Sequence, residues 1–457
     1  MTNYLPDARV SRPRRPAASP AQLVAGTFAS AILVGTLLLL IPQTHAAGAH
    51  LTFLEALFTA TSAVCVTGLK VVDVGSTFNW LGQVIVMLLI QVGGLGIVTF
   101  GAIFALAMRR RMGFQQRLSL QNQMRTFEVG GIVRLVRAIF LVAVTVEVAG
   151  ALLLWAPFAR HADSVWRGGF HALFHAVSAF NNAGFSLFAN SLNDFVTDPF
   201  VNLVITTLIV LGGLGFLTTI NLIARARVGR TARLTLHTRI VLMATGVLIA
   251  GAFLVILAME WTNPDTLGGL HFGGKTLAAF FQSVTPRTAG FSTLDYELFR
   301  PATLMFTMLL MFIGGSPGST TGGIKTVTFV VLVGSAWSQA RGRGDLTLFG
   351  RRISSQNAVR AAAIAMLGIL LVGAAITLLL ITEPQLPFER TAFEAVSAFG
   401  TVGLSAGVTN LLSDTGRVII ILLMYLGRIG PLTLATALMR NPHESEIAYP
   451  HEEVLVG

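Results

Sequence analysis

The sequence predicts an all-α integral membrane protein of eight transmembrane helices, built as four copies of one unit: a long span (M1), a short segment with a loop (P) and a second span (M2). Three observations predict it. The chain is 53% hydrophobic and only 12% charged, whereas a soluble domain carries about twice that charged fraction. Its arginines are confined to a few connections. A glycine signature also returns four times, at intervals of 116, 106 and 113 residues.

Apolar runs long enough to cross a hydrocarbon core of about 30 Å lie at roughly residues 21–42, 80–108, 132–158, 200–224, 238–261, 302–337, 358–381 and 417–439. The first follows a basic stretch, "ARVSRPRRPA", but is too long for a signal-peptide core and lacks a convincing cleavage site, so it reads as an uncleaved span. Of 29 arginines, 22 lie in the N-terminal tail, in the stretches 108–137, 225–239 and 341–360, or at Arg440. Such loops stay on the cytoplasmic side. Both termini are therefore assigned to the inside of the cytoplasmic (inner) membrane. The division is a basic tail (1–20), repeats at 21–108, 132–224, 238–337 and 358–439, and a C-terminal tail (440–457).

The other connections carry acids: Asp73, Asp163, Asp194, Asp198, Asp265, Asp295, Glu297, Glu383, Glu389 and Asp414. An acidic outer face concentrates cations. A net charge of +11 distributed this way is a topology signal and does not point to nucleic acid. The single cysteine, Cys65, excludes an intrachain disulfide and a cysteine-rich metal site.

Between each M1 and M2 sits a segment too short to cross: "LTFLEALFTATSAVCVTGL", "GGFHALFHAVSAFNNAGFS", "GKTLAAFFQSVTPRTAGFS" and "ERTAFEAVSAFGTVGLS". Each contains a Gly followed by Leu or Phe, at Gly68, Gly184, Gly290 and Gly403, and three carry Ser-Ala shortly before it (Ser62-Ala63, Ser178-Ala179, Ser397-Ala398). The M2 spans share a second signature: "VGGLGIVT", "LGGLGFLT", "IGGSPGST" and "LGRIGPLT". Two signatures recurring in the same order mark a true internal repeat.

A short helix entering from outside, followed by an extended Gly-containing segment, reads as a re-entrant pore loop. Irregular backbone at membrane depth is tolerated only where it is buried or lines a watery cavity. Four such loops around one axis can aim carbonyls at a dehydrated cation, and the helix C-termini add partial negative charge. The loops "CVTG", "NNAG", "RTAG" and "GTVG" hold no carboxylate. Selectivity then rests on carbonyls, which favours a monovalent cation. The competing reading is that the glycines only allow close helix packing, and four loops in register weigh against it.

The stretch "FIGGSPGSTTGGIKTVTF" interrupts the third M2. It is not a phosphate-binding loop, because Ile324 separates Gly323 from Lys325. The matching positions of the other three copies are expected to stay helical. Arg428 falls where the other copies have Gly94, Gly213 and Gly315. A charge within a span costs at least about 2.5 kcal/mol and by default faces the interior with a function. Glu147 and Glu260 fit inter-span hydrogen bonding better than ion coordination. His171 and His175, four apart on a short helix, fit packing better than metal binding. No catalytic constellation or nucleotide fold is visible, so an enzyme is not expected.

These loops and the break resemble the Ktr/Trk/HKT superfamily of cation transporters, nearest its KtrB-type membrane subunits; the ending "YPHEEVLVG" adds to the likeness. The resemblance implies a pseudo-fourfold pore, one per protomer of a homodimer, passing potassium. It implies a filter of carbonyls from Cys65, Val66, Thr67 and Gly68; Asn181, Asn182, Ala183 and Gly184; Arg287, Thr288, Ala289 and Gly290; Gly400, Thr401, Val402 and Gly403. It makes the break a gate: Gly314, Gly315, Ser316, Pro317, Gly318, Ser319, Thr320, Thr321, Gly322 and Gly323, with Arg428 against the loop's backbone. Lys325 either belongs to this gate or reaches the cytoplasmic vestibule. No cofactor is implied on this chain; nucleotide is expected on a cytosolic ring of RCK (KtrA-like) regulatory subunits. Two alternatives stay open: a sodium-permeable or sodium/potassium-coupled pore of the same fold, and the conducting subunit of a P-type ATPase complex.

Overall fold

The computed structural model describes residues 20–111, 129–229, 233–342 and 345–430. The N-terminal tail, most of the first basic loop and the stretch from 431 onward, with Arg440, lie outside the described residues. Fourteen helices carry the fold: α1 (Pro20–Leu39), α2 (Phe53–Val64), α3 (Trp80–Arg111), α4 (Val129–Ala159), α5 (Val165–Phe180), α6 (Pro199–Gly213), α7 (Phe216–Val228), α8 (Leu236–Glu260), α9 (Phe272–Val284), α10 (Pro301–Phe312), α11 (Thr326–Ala340), α12 (Ser355–Thr382), α13 (Phe388–Gly400) and α14 (Asp414–Ile429). A two-stranded hairpin, Thr347–Leu348 against Arg351–Arg352, lies between α11 and α12.

Local chemistry fixes the boundaries. At α2, Thr52 and Glu55 form a reciprocal cap: the Glu55 carboxylate accepts from the Thr52 N–H at 2.9 Å, and Thr52 Oγ1 accepts from the Glu55 N–H at 3.3 Å. At α6, Asp198 accepts from the first free N–H groups, and Pro199 occupies a position where no N–H is needed. Pro301 does the same for α10.

Four helices, α1, α4, α8 and α12, contain stretches long and apolar enough to cross a membrane, and only 28–33% of each stretch is buried. Their open faces carry Leu37, Leu152, Leu254 and Leu370. By contrast α2, α5, α9 and α13 have 12, 16, 13 and 13 residues. At 1.5 Å per residue they reach about 18–24 Å, too short to cross. Their C-terminal halves are the best-buried part of the molecule; in α13 every residue from Thr391 to Gly400 is buried. The largest apolar cluster joins α1, α2, α3, α13 and α14 through Phe28, Phe58, Phe393, Phe399 and Met424. A second joins α4, α5, α6 and α9 through Phe158, Ile205 and Phe281.

The third M2 is interrupted as expected, by residues 313–325 between α10 and α11. The second M2 departs from expectation. It does not stay helical: α6 and α7 meet at 105° around Leu214 and Gly215. Gly215 has φ +85°, a left-handed conformation that glycine adopts without strain. The groups freed by this break find partners in the third repeat: Ser316 N donates to the Gly213 carbonyl at 3.0 Å, and Phe216 N to that of Gly318 at 3.0 Å. A break at membrane depth survives because another segment satisfies its backbone. In the first repeat α3 runs unbroken through Gly93 and Gly94. In the fourth, α14 ends at Ile429, and Gly430 has φ +88°.

Candidate ion pathway and intramembrane gate

The four loops after α2, α5, α9 and α13 share one backbone course. Their second residues, Val66, Asn182, Thr288 and Thr401, have φ of +56°, +59°, +69° and +52°, and their glycines are positive as well. Three of those second residues are β-branched, for which this region is strained, by about 1–3 kcal/mol each. Such strain persists only where the surroundings fix it.

The glycines close a ring. A Cβ on Gly68 would lie 2.4 Å from the Ala183 carbonyl oxygen, on Gly184 2.9 Å from that of Ala289, on Gly290 2.5 Å from that of Val402, and on Gly403 2.0 Å from that of Thr67. Each repeat thus contacts the next, and the fourth returns to the first. Glycine is required at all four points because a side chain would strike a neighbouring carbonyl. None of the carbonyl oxygens of these four loops accepts a hydrogen bond from the described residues, although the loops are almost entirely buried. Buried backbone carbonyls need partners, so this ring is built to meet something other than protein.

The Ser-Ala signature holds the loops in place. Thr67 N donates to the Ser62 carbonyl, Ala183 N to Ser178 and Val402 N to Ser397, each at 2.8 Å. The Ser62 and Ser397 hydroxyls accept from Gly68 N and Gly403 N, each at 3.1 Å. Ser62 Oγ also donates to the Leu69 carbonyl. In the third repeat, which lacks the signature, Thr285 Oγ1 donates to the Phe291 carbonyl and Ala289 N to the Thr285 carbonyl. Glycines of the M2 signature allow close approach from behind: a Cβ on Gly93, Gly212 or Gly427 would lie 2.1, 1.8 or 2.0 Å from the carbonyl oxygen of Val64, Phe180 or Phe399.

Beneath the ring lies the interruption of the third M2. Gly314 N donates to the Ile324 carbonyl at 2.8 Å and Thr326 N to that of Gly315 at 3.0 Å, closing the segment on itself. Ser316, Ser319, Thr320 and Thr321 are buried. The segment touches two of the four loops: the Asn182 amide meets Thr320 Oγ1 at 2.9 Å, and a Cβ on Gly322 would lie 2.2 Å from Thr401 Oγ1. Arg428, buried on α14, donates through Nη1 to the Thr320 carbonyl and through Nη2 to the Gly93 carbonyl at 2.6 Å. Lys325 curls back onto the same segment, its Nζ donating to the Thr321 and Gly322 carbonyls at 2.6 and 3.3 Å.

Residues 13–447 match the family model described as a cation transport protein, TrkH. The chain belongs to the TrkH family. It is therefore a multi-pass membrane transporter and not an enzyme. Among similar curated proteins, the Ktr system potassium uptake protein B of Bacillus subtilis is 41% identical, covering 96% of this chain and 97% of that protein. The protein of the same name from Vibrio alginolyticus is 38% identical over 99% and 98%. The potassium/sodium uptake protein NtpJ of Enterococcus hirae is 38% identical over 96% and 97%. The crystal structure of the potassium transporter TrkH from Vibrio parahaemolyticus superimposes with a TM-score of 0.74 at 20% identity, covering 94% of this chain and 87% of that one. That likeness shows the TrkH fold.

The other polar residues singled out in the sequence of this TrkH-family chain make hydrogen bonds with protein groups. Glu147 accepts from Asn181 Nδ2 at 3.0 Å and Gln91 Nε2 at 3.2 Å, behind the second loop. Glu260 accepts from Arg300 N at 3.1 Å and Thr266 Oγ1 at 2.7 Å, joining the end of α8 to the start of α10. Both ring nitrogens of His175 are engaged, Nδ1 with the His171 carbonyl at 2.7 Å and Nε2 with Ser186 Oγ at 2.9 Å. Among the described residues no group of metal-ligating side chains forms. Arg287 contributes only backbone to the ring; its guanidinium reaches Thr245 on α8 at 3.3 Å. Thr285 escapes a reading of sequence, as does the side-chain contact between Asn182 and Thr320, because hydroxyl and amide side chains carry no pattern until the fold brings them together.

Proposed function

We propose that this protein takes up potassium across the cytoplasmic membrane through a channel-like pore. In this reading α1, α3, α4, α6–α7, α8, α10–α11, α12 and α14 make eight spans in four repeats with both termini in the cytoplasm. The loops 65–68, 181–184, 287–290 and 400–403 form the selectivity filter, and residues 314–325 with Arg428 form the gate. One observation carries it: four glycine loops close a ring of buried carbonyls to which the described residues donate no hydrogen bond. Such carbonyls replace the hydration shell of a monovalent cation, whereas a divalent ion calls for carboxylates. The names of the Bacillus and Vibrio relatives supply potassium. The protein works as a homodimer, and a cytosolic nucleotide-binding RCK ring docks on the basic inner loops and moves the gate.

The name of the Enterococcus relative favours a second reading, a pore passing sodium as well. Rubidium and sodium uptake into a potassium-transport-deficient strain, with and without a co-expressed RCK partner, tests both. Saturable rubidium uptake enhanced by the partner is expected. Absence of rubidium uptake overturns the potassium reading, and sodium uptake at the same rate replaces it with the second.

A further inference from the structure

A cavity of about 360 Å³ has the four ring glycines among its lining residues, and in the pore reading it opens to the outside. Two positions beyond each glycine the repeats place Lys70, Ser186, Ser292 and Ser405, and all four line this cavity. Three copies present a hydroxyl and the first presents an ammonium.

In two of the three serine copies the short helix supplies the hydroxyl with a partner. In the second repeat His175 holds Ser186 at 2.9 Å; in the fourth, Ser405 Oγ donates to Glu394 Oε2 at 2.8 Å. His175 and Glu394 stand nine residues before their filter glycines, where the first repeat has Thr59. Thr59 Oγ1 bonds back to the Glu55 carbonyl within its own helix, so nothing draws residue 70 inward. The Lys70 side chain instead stays 34% exposed, with Nζ 3.4 Å from Asp73 Oδ1 and 3.1 Å from the Ala189 carbonyl of the second repeat.

We infer that Lys70 is a fixed cation at the external entrance that sets the affinity for incoming monovalent cations, with Asp73 as its counter-charge. This inference rests on the pore reading above. An entering ion shares a narrow mouth with the Lys70 ammonium, where a charge changes the local cation concentration. Asp295 and Glu297 line the same mouth and attract cations; Glu297 is partly neutralised by Arg390 at 3.7 Å. Lys70 and Asp73 therefore act in opposite directions on one quantity.

The test is the half-saturating external rubidium concentration of the full-length protein in the transport-deficient strain. Lys70→Met is expected to lower it about threefold and Asp73→Asn, which keeps an oxygen to accept from Ser76 N, to raise it by a similar factor. Lys70→Arg and the double variant should remain near the wild type. Both single shifts should shrink as impermeant choline chloride is added, because exposed charges are screened within about 10 Å at 0.1 M salt. The inference is overturned if Lys70→Met leaves the value unchanged or raises it, or if its shift persists undiminished at high salt, as a merely structural bracing of the first loop to Ala189 would give. Failure of the wild type to take up rubidium refutes the pore reading itself.

Discussion

Arg428 and Thr320 are joined across the centre of the molecule: the guanidinium of the fourth M2 donates to a backbone carbonyl in the interruption of the third. The same side chain holds the Gly93 carbonyl of the first M2 at 2.6 Å. One arginine therefore ties three repeats together beneath the carbonyl ring. Its planar fork sends two different nitrogens to acceptors in two other repeats, a geometry that the single nitrogen of a lysine does not reproduce.

If the interruption is the proposed gate, Arg428→Gln should release it from the position that Arg428 holds. Charge-assisted hydrogen bonds contribute roughly 1.5–3 kcal/mol each, so losing one bond specific to the closed state should raise partner-independent rubidium flux at least about tenfold. Arg428→Lys should fall between. Deleting residues 318–322, which removes Thr320 itself, should give the largest rise. Proteoliposome flux without a regulatory partner is the measurement, and flux equal to wild type in both the deletion and Arg428→Gln would remove the gate from this segment.

Substitution in the four ring glycines, the proposed filter, should be ordered by the space available. A Cβ on Gly403 meets the Thr67 carbonyl at 2.0 Å, and one on Gly290 meets that of Val402 at 2.5 Å. Both positions also have positive φ. Gly403→Ala should therefore abolish high-affinity uptake, and Gly290→Ser should weaken it while leaving measurable transport. Wild-type rubidium affinity in Gly290→Ser would argue that this loop does not meet the ion.

The four glycine loops were legible because two kinds of residue recur in register. Glycines were forced by carbonyls at about 2 Å, and serines were recruited to brace them. The Arg428 position stood out because a charge replaced a glycine in an apolar span, and its backbone contact with the interruption is present. The second break was not legible. "LGGLGFLT" differs from the unbroken "VGGLGIVT" only in apolar side chains, and what decides between them lies elsewhere, in Ser316 and Gly318 of the third repeat. A tertiary partner, not local propensity, opens α6 from α7. The capping of the third loop by Thr285 was hidden for a similar reason: a threonine there does the work that Ser-Ala does in the other copies.

Glu147 should matter for stability through the second loop. Its carboxylate accepts from Asn181 Nδ2 and Gln91 Nε2, and Asn181 opens that loop. Glu147→Leu leaves the Gln91 amide without its acceptor, while Asn181 Nδ2 keeps Gln91 Oε1 and the Val177 carbonyl, a loss of about 1 kcal/mol. Glu147→Gln keeps one acceptor and should cost less. Thermal melting of the detergent-solubilised protein should rank wild type above Gln above Leu, and an unchanged melting temperature in Glu147→Leu would show that the network does not support the loop.

Gly215 offers the sharpest check on the second break. Its φ of +85° disfavours any other residue, by about 1–2 kcal/mol, and a Cβ there would lie 2.7 Å from the Pro317 carbonyl oxygen, a backbone atom that cannot swing aside. Gly215→Ala should loosen the seam in which Ser316 N meets the Gly213 carbonyl and Phe216 N meets that of Gly318. The melting temperature should fall by about 2 °C, and partner-independent flux should rise because the interruption loses one of its anchors while Arg428 keeps another. Gly246→Ala is the control: it lies within α8 with nothing near its Cβ position, and alanine there favours the helix. If Gly215→Ala matches Gly246→Ala in both melting and flux, the bend between α6 and α7 is not held by the third repeat.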